Sequence, residues 1–281
     1  MKTSVIIATH ARPDSLPALV ASLAPQLVIG RRELIIAENG TPAPMQLALQ
    51  ATPLKHLHEP SPGKCRIQNR AIGQASGEIL VFLDDDLVVV PGYLDAVEQF
   101  FDTHREFAAM KGRILPAEDP EKKVGPMAVY LDLPIADHGQ EVVEARGLLG
   151  ANMAFRADAL RTVGPFDERL GPGAGGHEEE TEMSQRLRHA GFRIGYAPKA
   201  LVYHEVDPSR ANRERFIRIA RERGRCRMLH EKHSAADVIL KNAIAQVRLR
   251  IARVTGAGLP RIAREERRLA IARGMFDGLG G

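Results

Sequence analysis

Three consecutive acids, Asp84, Asp85 and Asp86, end an apolar run from Ile79 to Leu83, and a second apolar run, Leu87 to Val90, follows at once. Adjacent carboxylates repel one another, and burying an ionised carboxylate is costly unless it is paired or bound to a metal. An oxygen-rich cluster at a strand end suits a hard cation, Mg2+ or Mn2+. Such a cation is typically held by one or two carboxylates together with substrate phosphates, which points to a nucleoside diphosphate. The bland alternative, a solvated acidic turn, fits poorly with the tight apolar strand before the acids. The phosphate-loop signature GxxxxGK[ST] is absent, so a metal rather than glycine backbone is expected to neutralise the phosphates. Lys64 and Arg66, in "SPGKCRIQN", stand where they could assist.

A second constellation is "GGHEEETEMSQRL", in which Glu178, Glu179, Glu180 and Glu182 begin a helix behind the glycine-rich run Gly171 to Gly176. Acids at a helix N-terminus are favoured by the macrodipole, which accounts for one or two of them. The glycines suggest a loop that delivers a base to a substrate, as active-site lids do. A third candidate is His204, after the apolar run "ALVY". A lone histidine there is more often structural, but imidazole is a common metal ligand.

These residues need elements to position them. "SVIIAT", "ELIIAENG" and "GEILVFL" read as buried strands. "DSLPALVASLAPQL", "CRIQNRAIGQA" and "PGYLDAVEQFFDTH" read as helices, and "MQLALQA" as a short one. Strand alternating with helix predicts an α/β fold, a Rossmann-like, mostly parallel sheet flanked by helices. Ligands of such sheets bind beyond the carboxyl ends of the strands. Thr9-His10 with Arg12, Glu38-Asn39-Gly40 and the three acids should therefore line one crevice. Residues 113–147, rich in proline and charge, read as loops and short strands. "GANMAFRADALRTVG" reads as a strand and a helix, and "FRIGYAPKALVYH" as two short strands around Pro198. Long basic amphipathic helices follow Val206, interrupted at Gly256 to Pro260.

The composition is globular: 281 residues, 44% hydrophobic, net charge +4. Two cysteines, Cys65 and Cys226, imply no disulfide framework. The apolar run in "MKTSVIIATH" is too short for a signal segment or a membrane span, so a cytoplasmic protein is expected. The charge is uneven: residues 205–281 hold 18 Lys/Arg against 9 Asp/Glu, and the remainder 21 against 26. A basic extension suggests an anionic partner.

In order and spacing, these segments resemble the family 2 glycosyltransferases of the GT-A fold over about residues 3–206. The resemblance rests on "SVIIATHARPDSLPALVASL", "ELIIAENG", "PGKCRIQNRAIGQASGEILVFLDDDLVVVPGYL", "GANMAFRADALRTVGPFDERL" and "EEETEMSQRLRHAGFRIGYAPKALVYH". It implies a transferase domain at 1–206, with a nucleotide-binding half (1–112) and an acceptor and base half (113–206), followed by a helical extension at 207–281. It implies an inverting, metal-dependent transfer from a nucleoside-diphosphate sugar to an acceptor hydroxyl, with uracil the commonest base. Thr9, Arg12 and Glu38 match positions near the base and ribose, and Lys64 and Asn69 the helix approaching the nucleotide. Asp84 to Asp86 match the DxD motif. Its last acid, Asp86, binds the metal, Asp84 lies near ribose and metal, and Asp85 falls in the nucleotide site. His204 matches a histidine that completes the metal site in some members. Glu180 matches the general base, with Glu179 or Glu182 as alternatives. Glu38 and Glu180 both stand where the family usually has Asp.

A sugar-1-phosphate nucleotidyltransferase shares the sheet and the acids, but "THARPDS" lacks that class's glycine-rich basic segment. An inactive nucleotide-sugar-binding protein is the other reading, and the intact acid sets argue against it. The tail places Phe216, Ile219, Met228, Ile239, Ala243, Val247 and Ile251 among arginines. That pattern fits peripheral contact with the inner face of a membrane, in which case the acceptor is a lipid-linked or cell-surface glycan. It fits equally packing on the catalytic domain or a homodimer through these helices. Nucleic acid is not expected, because stacking aromatics are sparse there.

Overall fold

A computed structural model of the chain describes residues 2–10, 14–28, 30–40 and 54–280. Arg12 and the short helix expected at "MQLALQA" lie outside the described residues. The chain forms two compact units. One comprises Met1–Ala117, Pro134–Arg169 and Glu179–Glu205; the other comprises Glu118–Leu133, Leu170–Glu178 and Val206–Gly281.

The first unit is built on one sheet. Its strands are β1 (Thr3–Thr9), β2 (Arg32–Asn39), β3 (Leu54–Glu59), β4 (Ile79–Leu83), β5 (Leu87–Val89), β6 (Phe107–Pro116), β7 (Val143–Glu144), β8 (Asn152–Arg156) and β9 (Arg193–His204). Their order is β3-β2-β1-β4-β8-β6-β9-β5, with β7 on β9. The block β3-β2-β1-β4 is parallel, as is β6 with β9; β8 runs antiparallel to both its neighbours. Helices α1 (Leu16–Leu23), α2 (Lys64–Gln74), α3 (Tyr93–Thr103), α5 (Ala157–Val163) and α6 (Glu179–His189) belong to this unit, and α4 (Pro120–Val124) to the other.

The apolar strands are continuous because both faces are covered. Along β1, Val5 and Ile7 join the core shared with α1 and α3, while Ile6 points into the core shared with α2, α5 and α6. Along β4, Val81 and Leu83 take the first side, and Leu80 and Phe82 the second. Alternation of side chains at period two makes this sorting automatic.

Residues 193–204 form one strand rather than two. The pairing of β6 with β9 instead shifts register between Gly112 and Arg113, which pair with Ala197 and Leu201 and so step over Pro198. A proline cannot donate to the ladder, so the irregularity falls there.

In the second unit, α7 (Arg213–His230), α8 (Ala235–Val254) and α9 (Leu259–Asp277) pack together. Helices α7 and α9 cross in backbone contact. A Cβ on Gly224 would stand 2.0 Å from the Ile271 carbonyl oxygen, and one on Gly274 1.9 Å from that of Arg221. Buried Glu266 of α9 pins the group, accepting from Arg213 Nη2 at 2.6 Å, Arg253 Nη2 at 2.9 Å and Tyr130 Oη at 3.3 Å. Both cysteines are buried and neither forms a disulfide. Among the described residues, no helix is long and apolar enough to cross a membrane.

Candidate active site

The parallel block brings its carboxyl ends level. Thr9 pairs in register with Glu38, and β4 ends beside Ile7 of β1, so the acids follow one step beyond. Thr9 Oγ1 donates to Asp85 Oδ2 at 2.7 Å. Glu38 is 1% exposed and its Oε2 lies 3.0 Å from His56 Nε2 on β3. His10 and His58 place ring nitrogens 2.6 Å from the carbonyl oxygens of Asn39 and Gly40. The crevice edge is therefore richer in imidazole than the sequence suggested. Strand β3 is an edge strand with a half-exposed pattern, so "LKHLHE" carries no buried-strand signal.

The three acids diverge. Asp86 is buried, and its Oδ1 lies 3.2 Å from Nε2 of the more deeply buried His204. Antiparallel pairing of β5 with β9 sets Leu87 opposite His204, which delivers that imidazole to Asp86. The other ring nitrogen, Nδ1, lies 2.7 Å from the Glu205 carbonyl oxygen. Burial opposes the imidazolium, yet the Asp86 hydrogen bond and charge outweigh it and hold the His204 pKa above the ordinary histidine value.

Asp84 turns to Lys64. The ammonium donates to Asp84 Oδ1 at 2.7 Å and lies 3.6 Å from Glu179 Oε1. Burial works against this charge, but Asp84, Glu179 and Glu180 together raise the Lys64 pKa above that of a free lysine. Gly150, just before β8, closes the group: a Cβ there would meet Glu179 Oε1 at 3.6 Å, Lys64 Nζ at 3.7 Å and Glu180 Cδ at 3.9 Å. So one lysine, at the first position of α2, ties the acid-rich strand end to the acid-rich start of α6. The sequence marked Lys64 as a phosphate helper and missed this link, because its partners come from distant segments.

The glutamates of α6 have different surroundings. Glu179 is buried against Lys64, whereas Glu180 is half-buried. Glu182 is engaged by Arg186 one turn on, from Nε at 2.6 Å and Nη2 at 2.7 Å. Glu178, immediately before the helix, has φ of 76°, strained for a non-glycine residue. The glycine-rich run is folded on itself, with Gly176 N donating to Gly171 O at 2.8 Å, and Cys226 Sγ contacts Gly175 O at 2.9 Å. Asn69 is used elsewhere: its amide clamps the backbone of Phe166, N and O, at 2.9 Å each. Arg66 pairs with Glu168 at 3.2 Å.

Among the described residues, no three His, Cys, Asp or Glu side chains converge as a preformed metal site. The structure does join a carboxylate and an imidazole, Asp86 and His204. A carboxylate and an imidazole are donors that a divalent cation would accept.

The sheet and its flanking helices are those of a GT-A fold. Glycosyl transferase family 2 matches residues 4–163, more than half of the chain, and the chain belongs to that family. It is 26% identical over 213 residues to a pre-mycofactocin glycosyltransferase of Mycobacterium tuberculosis, covering 72% of this chain but only 42% of that protein. It is 22% identical over 219 residues to a glucosyl-dolichyl phosphate glucuronosyltransferase of Haloferax volcanii, covering 73% of this chain and 70% of that one. A mannosyltransferase of Pyrobaculum calidifontis, solved with GDP-Man and Mn2+, superposes with a TM-score of 0.61 at 16% identity, over 99% of this chain and 87% of that chain.

Proposed function

We propose that the chain is a metal-dependent inverting glycosyltransferase that moves a sugar from a nucleoside diphosphate to an acceptor hydroxyl. The carrying observation is the Asp84–Lys64–Glu179 link, which sets Glu180 beside the strand end where a diphosphate would lie. Thr9 and Glu38 border the nucleoside, with Arg12 matched by family position, while Asn69, on the helix that approaches the nucleotide, braces the Phe166 backbone. Asp86 and His204 would hold Mn2+ or Mg2+, which supplies Lewis-acid neutralisation of the diphosphate. Asp84 and Asp85, held by Lys64 and Thr9, fix the approach of the ribose.

Glu180 takes the proton of the acceptor hydroxyl as its oxygen attacks the anomeric carbon. The bond from that carbon to the diphosphate oxygen breaks, and the diphosphate leaves with the electron pair. Because attack and departure occur on opposite faces, the anomeric configuration inverts. Glu179, with its charge matched by Lys64, acts as the positioning partner. Glu182 is committed to Arg186 and is not the base. The acceptor hydroxyl belongs in this reading to a glycan or a lipid-linked glycan, as with the similar protein named for glucosyl-dolichyl phosphate.

The test is turnover of UDP-, GDP- and dTDP-sugars with Mn2+, read as release of the nucleoside diphosphate. Glu180→Gln should lower the rate by about a thousandfold while changing nucleotide affinity little. Glu182→Gln should stay within a few-fold of the unmodified protein. Full activity in Glu180→Gln would move the base elsewhere.

A further inference from the structure

Helix α8 carries two apolar faces. Val238, Ala245, Leu249 and Ala252 are buried, and Ala245 and Leu249 pack with Leu269 and Ala272 of α9. Nearly opposite stand Leu240, Ile244, Val247, Ile251 and Val254, exposed by 59%, 47%, 54%, 50% and 87%. Scattered exposed apolar residues are ordinary. These five recur at intervals of four and three, which aligns them in one stripe about 21 Å long at 1.5 Å per residue. Of the tail residues that the sequence singled out, Phe216 and Ile219 are buried, and Ile239, Val247 and Ile251 are not.

The flanks of the stripe carry more cations than acids. On helical spacing, Lys241 and Arg248 border one side and Arg250 the other. On the Lys241 side a cleft of about 300 Å³ opens between α7, α8 and α9, with four cations, Arg227, Lys241, Arg248 and Arg268, against one acid, Glu231, on its walls and Ile244 at its apolar part. These cations touch acids, Lys241 with Asp237 at 2.8 Å, Arg248 and Arg268 with Glu265 at 3.6 and 2.6 Å, and Arg227 with Glu178 at 3.2 Å. The surrounding segment nonetheless has twice as many basic as acidic residues, 18 against 9 over residues 205–281.

The charge pattern selects the occupant. The spacing would also serve as a coiled-coil seam with a second copy. In such a pair Lys241, Arg248 and Arg250 would flank the seam; Asp237 and Glu265 answer the first two within the chain, but Arg250 and the basic excess of the segment would face the same excess on the partner. An anionic bilayer removes that conflict: apolar residues enter the boundary of headgroups and chains, and long cationic side chains reach the phosphates.

We propose that this face of α8 docks on the surface of an anionic phospholipid bilayer, with lipid phosphates drawn to Lys241, Arg248, Arg250 and the basic cleft. This does not rest on the transferase reading.

The test is sedimentation of the full chain with vesicles of equal parts phosphatidylcholine and phosphatidylglycerol, against phosphatidylcholine alone. The chain should bind the anionic vesicles and release in high salt. Val247→Gln with Ile251→Gln, both at exposed positions, should weaken binding by roughly tenfold or more without changing helicity or melting. Arg248→Gln with Arg250→Gln should weaken it and flatten its salt dependence. Inorganic phosphate should compete no better than chloride at equal ionic strength. Equal binding to both vesicle types would overturn the proposal, as would unaltered binding by both double variants. A dimer in solution that the Val247→Gln and Ile251→Gln pair dissolves would instead assign the face to a second copy.

Discussion

Replacing Lys64 with methionine keeps the length and the apolar stem of the side chain and deletes its charge. The ammonium is 15% exposed and answers Asp84 at 2.7 Å and Glu179 at 3.6 Å. Removing one partner of a buried pair costs about 3–5 kcal/mol, because the other is left charged in a poor solvent. Glu179, at 7% side-chain exposure, meets that condition, while Asp84 at 29% can turn toward water. The expected loss is therefore nearer the lower limit, about 3 kcal/mol. For a protein of this size that lowers the melting temperature by about 6–12 °C. A thermal melt followed by circular dichroism reads the shift. The decisive step is a cycle: Glu179→Gln added to Lys64→Met removes the stranded charge and should return about 1–2 kcal/mol, whereas alone it should destabilise. A Lys64→Met protein as stable as the unmodified chain would mean that no charge is stranded at Glu179, as would a double variant no better than the single.

Two further perturbations probe the frame around the site and the helical unit. Gly274→Ala would put a Cβ 1.9 Å from the Arg221 carbonyl oxygen, where about 3.3 Å is needed. Helices α7 and α9 must part by more than about 1 Å, and a loss of about 1–3 kcal/mol is expected in chemical denaturation. An unchanged midpoint would mean the helices do not cross there. Burial pushes the Glu33 carboxyl up, but donation from Ser4, Ser76 and Lys55 brings it down to about 2. A depressed carboxylate stabilises the fold above its unfolded value near 4.5 and loses that contribution as pH falls toward 2. The gap between Glu33→Gln and the unmodified protein, on the order of 2 kcal/mol at pH 7, should shrink in melts at pH 3; a gap independent of pH would contradict this.

Much of the parallel block was legible because burial on both faces leaves an unbroken apolar run, as in Ile79–Leu83, and the polar residues then mark the strand end. Strand β3 was not legible, since "LKHLHE" lies at the sheet edge and half of it meets solvent. Strand β6 was hidden by Lys111, Gly112 and Arg113. Its glycine is required by packing that no local pattern displays: a Cβ on Gly112 would stand 2.2 Å from Asn152 Nδ2. In the candidate site, the acids, His204 and the start of α6 were visible as residue types at strand and helix ends. How they sort was not, because Asp84 choosing Lys64 and Asp86 choosing His204 depends on which segments the sheet brings alongside. In α8 the apolar positions were plain, but only packing separates the covered face from the open one.

The most direct measurement is calorimetric titration of the chain with UDP, GDP, dTDP and CDP, each with and without Mn2+, repeated on Asp86→Asn and Glu180→Gln. One nucleotide should bind only with Mn2+, Asp86→Asn should abolish this binding, and Glu180→Gln should retain it. No metal-dependent binding of any of the four by folded protein, or undiminished binding by Asp86→Asn, would contradict the claim that these acids hold a cation and the cation holds a diphosphate.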